Sequence, residues 1–140
     1  MEFPKHSTDF MRGLCRLIRV ATIMAAPMLH AASGTWTNTA SGGNWSAAAN
    51  WSNSVIADGS GLTADFNSIN LTTDPTVVHF DVTRTIGNLI FGDTNTNSAA
   101  GWLLDSNGFN TNVLIFAGGT PTITVNALGS GKIATISAML

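Results

Sequence analysis

The sequence has few reactive or charged side chains. Among its 140 residues there are one cysteine, no tyrosine and 10% charged residues. The cysteine, Cys15, lies near the start of the chain, so nothing after it can form a disulfide or a cysteine-based metal cluster. Stability in the rest of the chain must therefore come from packing and from main-chain pairing.

Positive charge is especially scarce after residue 32. Only Arg84 and Lys132 remain there, against six aspartates and no glutamate. Nucleic-acid binding requires clustered Lys and Arg, and this composition excludes it. The abundant Thr, Asn, Ser and Gly also disfavour helices, because they compete for backbone hydrogen bonds or cost backbone entropy.

No apolar run is long enough to span a membrane. The longest, VATIMAAPML, covers residues 20–29, whereas a spanning helix needs about 18 or more apolar residues. It is preceded by basic residues and followed by the small residues of HAAS. This order is typical of a secretory signal peptide. We predict a signal peptide at residues 1–32 and export to the periplasm, cell surface or extracellular space.

Two details of this predicted signal peptide stay open. Cleavage fits after Ala31 or after Ala32, because small residues occupy both positions. Both Met1 and Met11 are compatible with the start of translation, since the residues from Met11 onward already form a compact export signal.

Short strand-like runs dominate the chain from residue 76 onward. They are TVVHF, TIGNLIF, GWLLD, NVLIF, TITVN and KIATISAML. Gly, Asn, Asp and Pro separate them at intervals of roughly 8–12 residues, which is typical of an all-β protein. The even spacing favours a solenoid of stacked strands, and a β-sandwich of antiparallel hairpins is the alternative.

Alternation within two of these runs predicts which side chains face the core. In TVVHF, Val78 and Phe80 share one face of the strand. In TITVN, Ile123 and Val125 share a dry face opposite the threonines.

The segment GTWTNTASGGNWSAAANWSN, residues 34–53, is followed by VVHFDVTRTIGNLIFGDT and later by TITVNALGSGKIATISAML. Together these motifs resemble the opening part of bacterial proteins with autotransporter-associated β-strand repeats, over residues 34–140. The resemblance implies a right-handed parallel β-helix that is secreted or displayed on the cell surface. Its glycine-rich GxGxLxLxG repeats do not occur in this sequence, so we expect a fragment truncated at its C-terminus.

Three tryptophans lie in an uncharged Ser/Asn-rich segment before the regular strands. We predict that residues 33–75 are a capping segment, in which Trp36, Trp45 and Trp51 shield the first coil of the repeat segment, residues 76–140. The alternative is a secreted carbohydrate-binding module, with exposed Trp36, Trp45 and Trp51, together with Trp102, as candidate glycan-binding residues.

Catalytic and metal-binding motifs are not recognisable. His79 and Asp81 alternate on one strand, but we interpret them as a solvated face, with Arg84 balancing the charge of Asp81. The run beginning at Asp93 starts like a calcium loop but lacks its glycine and its final glutamate, so we predict a turn. We therefore expect no catalytic residues, no metal and no cofactor. A polysaccharide-degrading enzyme that uses His79 and Asp81 is the third alternative.

The expected function is a structural β-helix segment that serves as a scaffold or an adhesion surface. The expected partners are cell-surface or extracellular polysaccharides. A last strand without a neighbour would also leave residues 133–140 free to self-associate.

Overall fold

The computed structural model describes residues 31–108 and 111–140, which form an all-β solenoid of about three turns. The expected fold, an all-β parallel β-helix, is thus confirmed. The predicted signal peptide lies outside the described residues except for Ala31 and Ala32. Ala32 forms an antiparallel bridge with Asp58, in which each main-chain N–H donates to the other residue's carbonyl.

Ten short strands build the solenoid. They are β1 (Gly34–Thr35), β2 (Gly43–Asn44), β3 (Thr63–Phe66), β4 (Thr76–His79), β5 (Arg84–Ile86), β6 (Asn88–Phe91), β7 (Trp102–Asp105), β8 (Leu114–Phe116), β9 (Thr122–Val125) and β10 (Ala134–Ile136). The only helical elements within residues 31–108 and 111–140 are two 3₁₀ turns, Ala48–Asn50 and Ser52–Ser54.

The strands stack into three parallel sheets. Their orders are β1-β3-β6-β9, β2-β4-β7-β10 and β5-β8, and every paired neighbour runs parallel. A sandwich of hairpins would instead place antiparallel strands side by side. The alternative prediction of a β-sandwich is therefore wrong. Successive coils are β3-β4-β5, β6-β7-β8 and β9-β10, with β1 and β2 forming a partial leading coil.

The core is a set of rows that run along the solenoid axis. Phe66 of β3 pairs in register with Phe91 of β6, and their rings stack with centroids 5.5 Å apart. Val78 and Phe80 are fully buried, so the predicted face of TVVHF is confirmed. Because side chains alternate along a strand, each coil adds the same inward positions to the rows begun by the coil before it.

Coil length varies although the register is regular. Asn88 lies 25 residues after Thr63 and hydrogen bonds to it, while Thr122 lies 34 residues after Asn88 and donates to its side chain. The longer coil includes the loop that starts at Asp93, whose carboxylate accepts the N–H of Asn95. This loop forms the turn that the sequence predicts in place of a calcium loop.

The predicted run TIGNLIF is two strands rather than one. β5 ends at Ile86 and β6 begins at Asn88, with Gly87 at the corner between them. A Cβ on Gly87 would lie 2.5 Å from the Cα of Gly61 in the preceding coil, so only glycine fits this corner.

Candidate functional site

The tryptophan cluster, Trp36, Trp45 and Trp51, closes the first end of the solenoid. Trp51 contacts the other two rings edge to face, with centroid distances of 5.2 Å to Trp36 and 5.1 Å to Trp45. All three rings also lie within 5.5 Å of the ring of Phe66. The cluster therefore forms the end of the same aromatic row that continues to Phe91.

Each indole N–H in the tryptophan cluster donates to a main-chain carbonyl. The distances are 2.8 Å from Trp36 to Asn38, 3.0 Å from Trp45 to Ala57, and 2.7 Å from Trp51 to Trp45. A buried indole N–H without an acceptor would lower the stability of the fold. These hydrogen bonds therefore allow the rings to be completely buried.

The chain then folds back over the first strand. Trp36 and Trp51 form an antiparallel bridge, and the N–H of Thr37 donates to the carbonyl of Asn50 at 2.9 Å. A Cβ on Gly34 would lie 2.5 Å from the carbonyl oxygen of Val55, so the returning segment lies directly against β1. Residues 50–57 thus cover the leading edge of the solenoid.

This arrangement bears directly on the candidate glycan-binding residues. Trp36 and Trp45 are 0% exposed, Trp51 is 2% exposed and Trp102 is 1% exposed. A sugar stacks on an exposed ring face, and none of these rings offers one. The geometry is that of the predicted cap, since the indole rings point into the coil.

His79 and Asp81, the candidate acid–base pair, bond to different coils. The Nδ1 atom of His79 lies 2.7 Å from Oδ1 of Asp105 in the following coil. Asp81 instead accepts the main-chain N–H and the hydroxyl of Ser46 in the preceding coil. No hydrogen bond joins His79 to Asp81 among the residues that the structure describes.

Arg84 does not balance Asp81, and that expectation is wrong. Its guanidinium donates to Oδ2 of Asp58 at 2.9 Å, while Oδ1 of Asp58 accepts the N–H of Thr85 at 3.0 Å. The Arg84 side chain is 7% exposed, and its Nε is buried without a partner. Arg84 therefore depends on the charge of Asp58 for its burial.

Five of the six aspartates after residue 32 connect neighbouring coils. Three are described above, namely Asp58, Asp81 and Asp105. Asp93 accepts the N–H of Leu71, and Asp74 accepts the N–H of Gly101 as well as the ammonium of Lys132. The sixth, Asp65, accepts the N–H of Asn67 in its own turn. Four of these carboxylates, those of Asp58, Asp74, Asp81 and Asp93, thus accept main-chain N–H groups from a neighbouring coil.

An open cavity of about 300 Å³ lies beside the ion pair of Asp74 and Lys132. The ammonium of Lys132 holds the pKa of Asp74 below its ordinary value through a hydrogen bond, with help from the N–H of Gly101. The two groups neutralise each other and leave no net charge to bind a ligand.

Neither this cavity nor the tryptophan cluster brings together a recognisable catalytic constellation. Among residues 31–108 and 111–140 there is no group of three His, Cys, Asp or Glu side chains that could hold a metal ion. No helix in that part of the chain is both long and apolar enough to cross a membrane.

No protein-family model, curated protein or solved structure matches the chain. The candidate site is thus defined by its own geometry: an aromatic end closure and a set of carboxylates between coils. The sequence indicated the closure through the repeated Asn-Trp pairs, Asn44-Trp45 and Asn50-Trp51. The pairing of Asp58 with Arg84 and of Asp74 with Lys132 was missed, because the partners are far apart in the sequence.

Proposed function

We propose that the chain is the capped N-terminal part of an exported β-helix and serves as a structural scaffold or adhesion surface outside the cytoplasm, without catalysis. We further propose that it belongs among the bacterial proteins with autotransporter-associated β-strand repeats. The observation that carries the proposal is the use of the aspartates, five of which are bonded between coils.

This use of carboxylates supports a structural role because it ties up the acidic groups of the chain. A general acid or base must reach a substrate proton, whereas Asp58, Asp74 and Asp93 accept N–H or cationic groups from neighbouring coils. The buried tryptophan cluster supports the same role, since it closes one end of a stack of coils.

Export is tested first, by expressing the full chain in a bacterium with a general secretory pathway. We expect the processed protein outside the cytoplasm. Cleavage after Ala31 would keep the bridge between Ala32 and Asp58, so the expected intact mass is that of residues 32–140. Ile23→Arg should block export by interrupting the apolar run. Phe10→Arg, ahead of that run, is the control and should leave export unchanged. An uncleaved wild-type chain that stays in the cytoplasm would contradict the proposal.

Adhesion and catalysis are then separated on the exported protein. We expect it to bind bacterial cells or extracellular polysaccharide without releasing soluble sugar. Release of sugar that disappears in both His79→Ala and Asp81→Ala would identify a polysaccharide-degrading enzyme and would overturn the proposal. Absence of any binding to cells or polysaccharide would leave a scaffold but would remove the adhesive role.

A further inference from the structure

The two bonds at which cleavage of the predicted signal peptide fits lie in paired backbone of the solenoid. One joins Ala31 to Ala32, and the other joins Ala32 to Ser33. The N–H of Ala32 belongs to the first bond and donates to the carbonyl of Asp58 at 2.8 Å. The carbonyl of Ala32 belongs to the second bond and accepts the N–H of Asp58 at 3.0 Å. Each candidate bond therefore contributes a main-chain group to the same antiparallel bridge.

The residues that follow this bridge are held from both sides. On one side, β1 pairs with β3, and the hydroxyl of Ser33 accepts the N–H of Thr63 at 3.0 Å. On the other side, a Cβ on Gly34 would lie 2.5 Å from the carbonyl oxygen of Val55. Residues 33–35 are thus enclosed between β3 and the returning segment.

Asp58, the partner of Ala32, is itself fixed to strand β5. Its carboxylate accepts the N–H of Thr85 at 3.0 Å, and the N–H of the next residue, Gly59, donates to the carbonyl of Thr85. The edge to which Ala32 bonds is therefore anchored to the rest of the coil. The bridge opens only when residues 31–33 separate from this fixed edge.

Main-chain bonding, rather than burial, protects the two candidate bonds, since Ala31 and Ser33 are exposed. A protease binds the residues around the bond that it cuts as an extended strand, through their main-chain N–H and carbonyl groups. Asp58 already occupies both of these groups of Ala32. Cleavage is thus limited to molecules in which the bridge is open, and its rate follows the fraction of such molecules.

We propose that the fold sets the order of maturation: signal peptidase cuts before the bridge between Ala32 and Asp58 forms, and a chain that folds first stays a precursor. The reaction is hydrolysis of the bond between Ala31 and Ala32. Water adds its hydroxyl to the carbonyl carbon of Ala31, and the leaving nitrogen of Ala32 takes the proton. The new amine of Ala32 still donates to Asp58, so the mature end completes the cap. This inference rests on the proposed function, through the export signal.

The test measures how cleavage depends on the time allowed for folding. The full chain is unfolded in urea, diluted into mild detergent, and given a bacterial signal peptidase after increasing delays. Tryptophan fluorescence follows burial of the tryptophan cluster over the same delays. We expect the product, residues 32–140, at short delays. As fluorescence reaches its folded value, cleavage should slow at least about tenfold, because two main-chain hydrogen bonds must open.

Two substitutions at Asp58 separate the bridge from the side-chain contacts of the same residue. Asp58→Pro removes the main-chain N–H that donates to Ala32 together with the side chain, whereas Asp58→Ala removes the side chain and keeps the N–H. We expect folded Asp58→Pro to remain cleavable and folded Asp58→Ala to resist cleavage like the wild type. Far-UV circular dichroism checks folding. If Asp58→Pro does not fold, the delay series of the wild-type chain decides.

The outcomes distinguish this inference from the proposed function. A folded wild-type chain that is cut as fast as the freshly diluted chain would overturn the inference and leave the proposed export intact. Equal cleavage of the two folded Asp58 variants would overturn it as well. A chain that is not cut after any delay would contradict the export signal, and both proposals would then fail.

Discussion

Trp45 shows how single residues hold the first end of the solenoid together. Its ring contacts Trp51 of the returning segment, Phe66 of β3 and the Phe80 ring, which lies 5.4 Å away edge to face. Its indole N–H donates to Ala57, and its carbonyl accepts the indole N–H of Trp51. Removing Trp45 would therefore disturb packing and hydrogen bonding together.

Trp45→Ala should lower the free energy of unfolding by about 4 kcal/mol, since deleting a buried indole leaves a cavity. Urea unfolding followed by far-UV circular dichroism measures the change. Val55→Ala is the control, because Val55 is 38% exposed and its truncation should change stability by less than about 0.5 kcal/mol. A Trp45→Ala protein as stable as the Val55→Ala protein would contradict a structural role for this ring.

The sequence predicted the capping role of the tryptophans but not all of their hydrogen bonds. The acceptor of Trp36 is close in the sequence, because the main-chain carbonyl of Asn38 accepts its indole N–H. Trp45 instead donates to Ala57, twelve residues away. Such a partner follows from the path of the returning segment, which residue types alone do not define.

At the scale of strands, alternation predicted orientation well and boundaries less well. Val78 and Phe80 are buried as expected. Ile123 and Val125 are in register with the buried Leu89 and Phe91, but they are 49% and 51% exposed, so the predicted dry face of TITVN is wrong. The corner at Gly87 was missed because neither Pro, Asn nor Asp precedes it, and its reason is the close approach of Gly61 from another coil. Distances between coils depend on register, which the run TIGNLIF does not reveal.

The link between Asp58 and β5 gives a prediction at the scale of elements. Asp58→Asn keeps an oxygen to accept the N–H of Thr85 but removes the charge that faces Arg84. We expect a loss of about 2 kcal/mol in the free energy of unfolding. Breaking a fully buried ion pair costs more, but Asp58 is 26% exposed, and solvent screens part of the effect. Thermal and urea unfolding measure it.

Asp65→Asn is the matched control for this substitution. The Asp65 carboxylate accepts only the N–H of Asn67 in its own turn, and the amide oxygen of asparagine accepts the same bond. Its stability should change by less than about 0.5 kcal/mol. Equal losses for Asp58→Asn and Asp65→Asn would show that the partnership with Arg84 contributes nothing specific.

At the scale of the whole molecule, each coil is stabilised mainly by the coils on either side of it. β6 lies between β3 and β9, and its inward residues are buried. Within the residues that the structure describes, β9 has one neighbour, and all four of its residues are exposed. In stacked repeats stability is approximately a sum of nearest-neighbour terms, so opening should begin at β9 and β10.

Amide hydrogen exchange tests this order. The amides of Thr122 and Asn126, which bond to Gly87 and Phe91, should exchange faster than those of Asn88 and Gly92, which bond to Leu62 and Phe66. All four amides bond to the coil before them, so hydrogen bonding alone predicts equal exchange rates. The lack of a described neighbour on the outer side of β9 predicts faster exchange at Thr122 and Asn126.

The amide of Trp36 tests the other end of the solenoid. It bonds to Asp65 beneath the returning segment and should stay as protected as the amide of Asn88, because that end is covered. Exchange at Trp36 as fast as at Thr122 would mean that the tryptophan cluster does not close the solenoid.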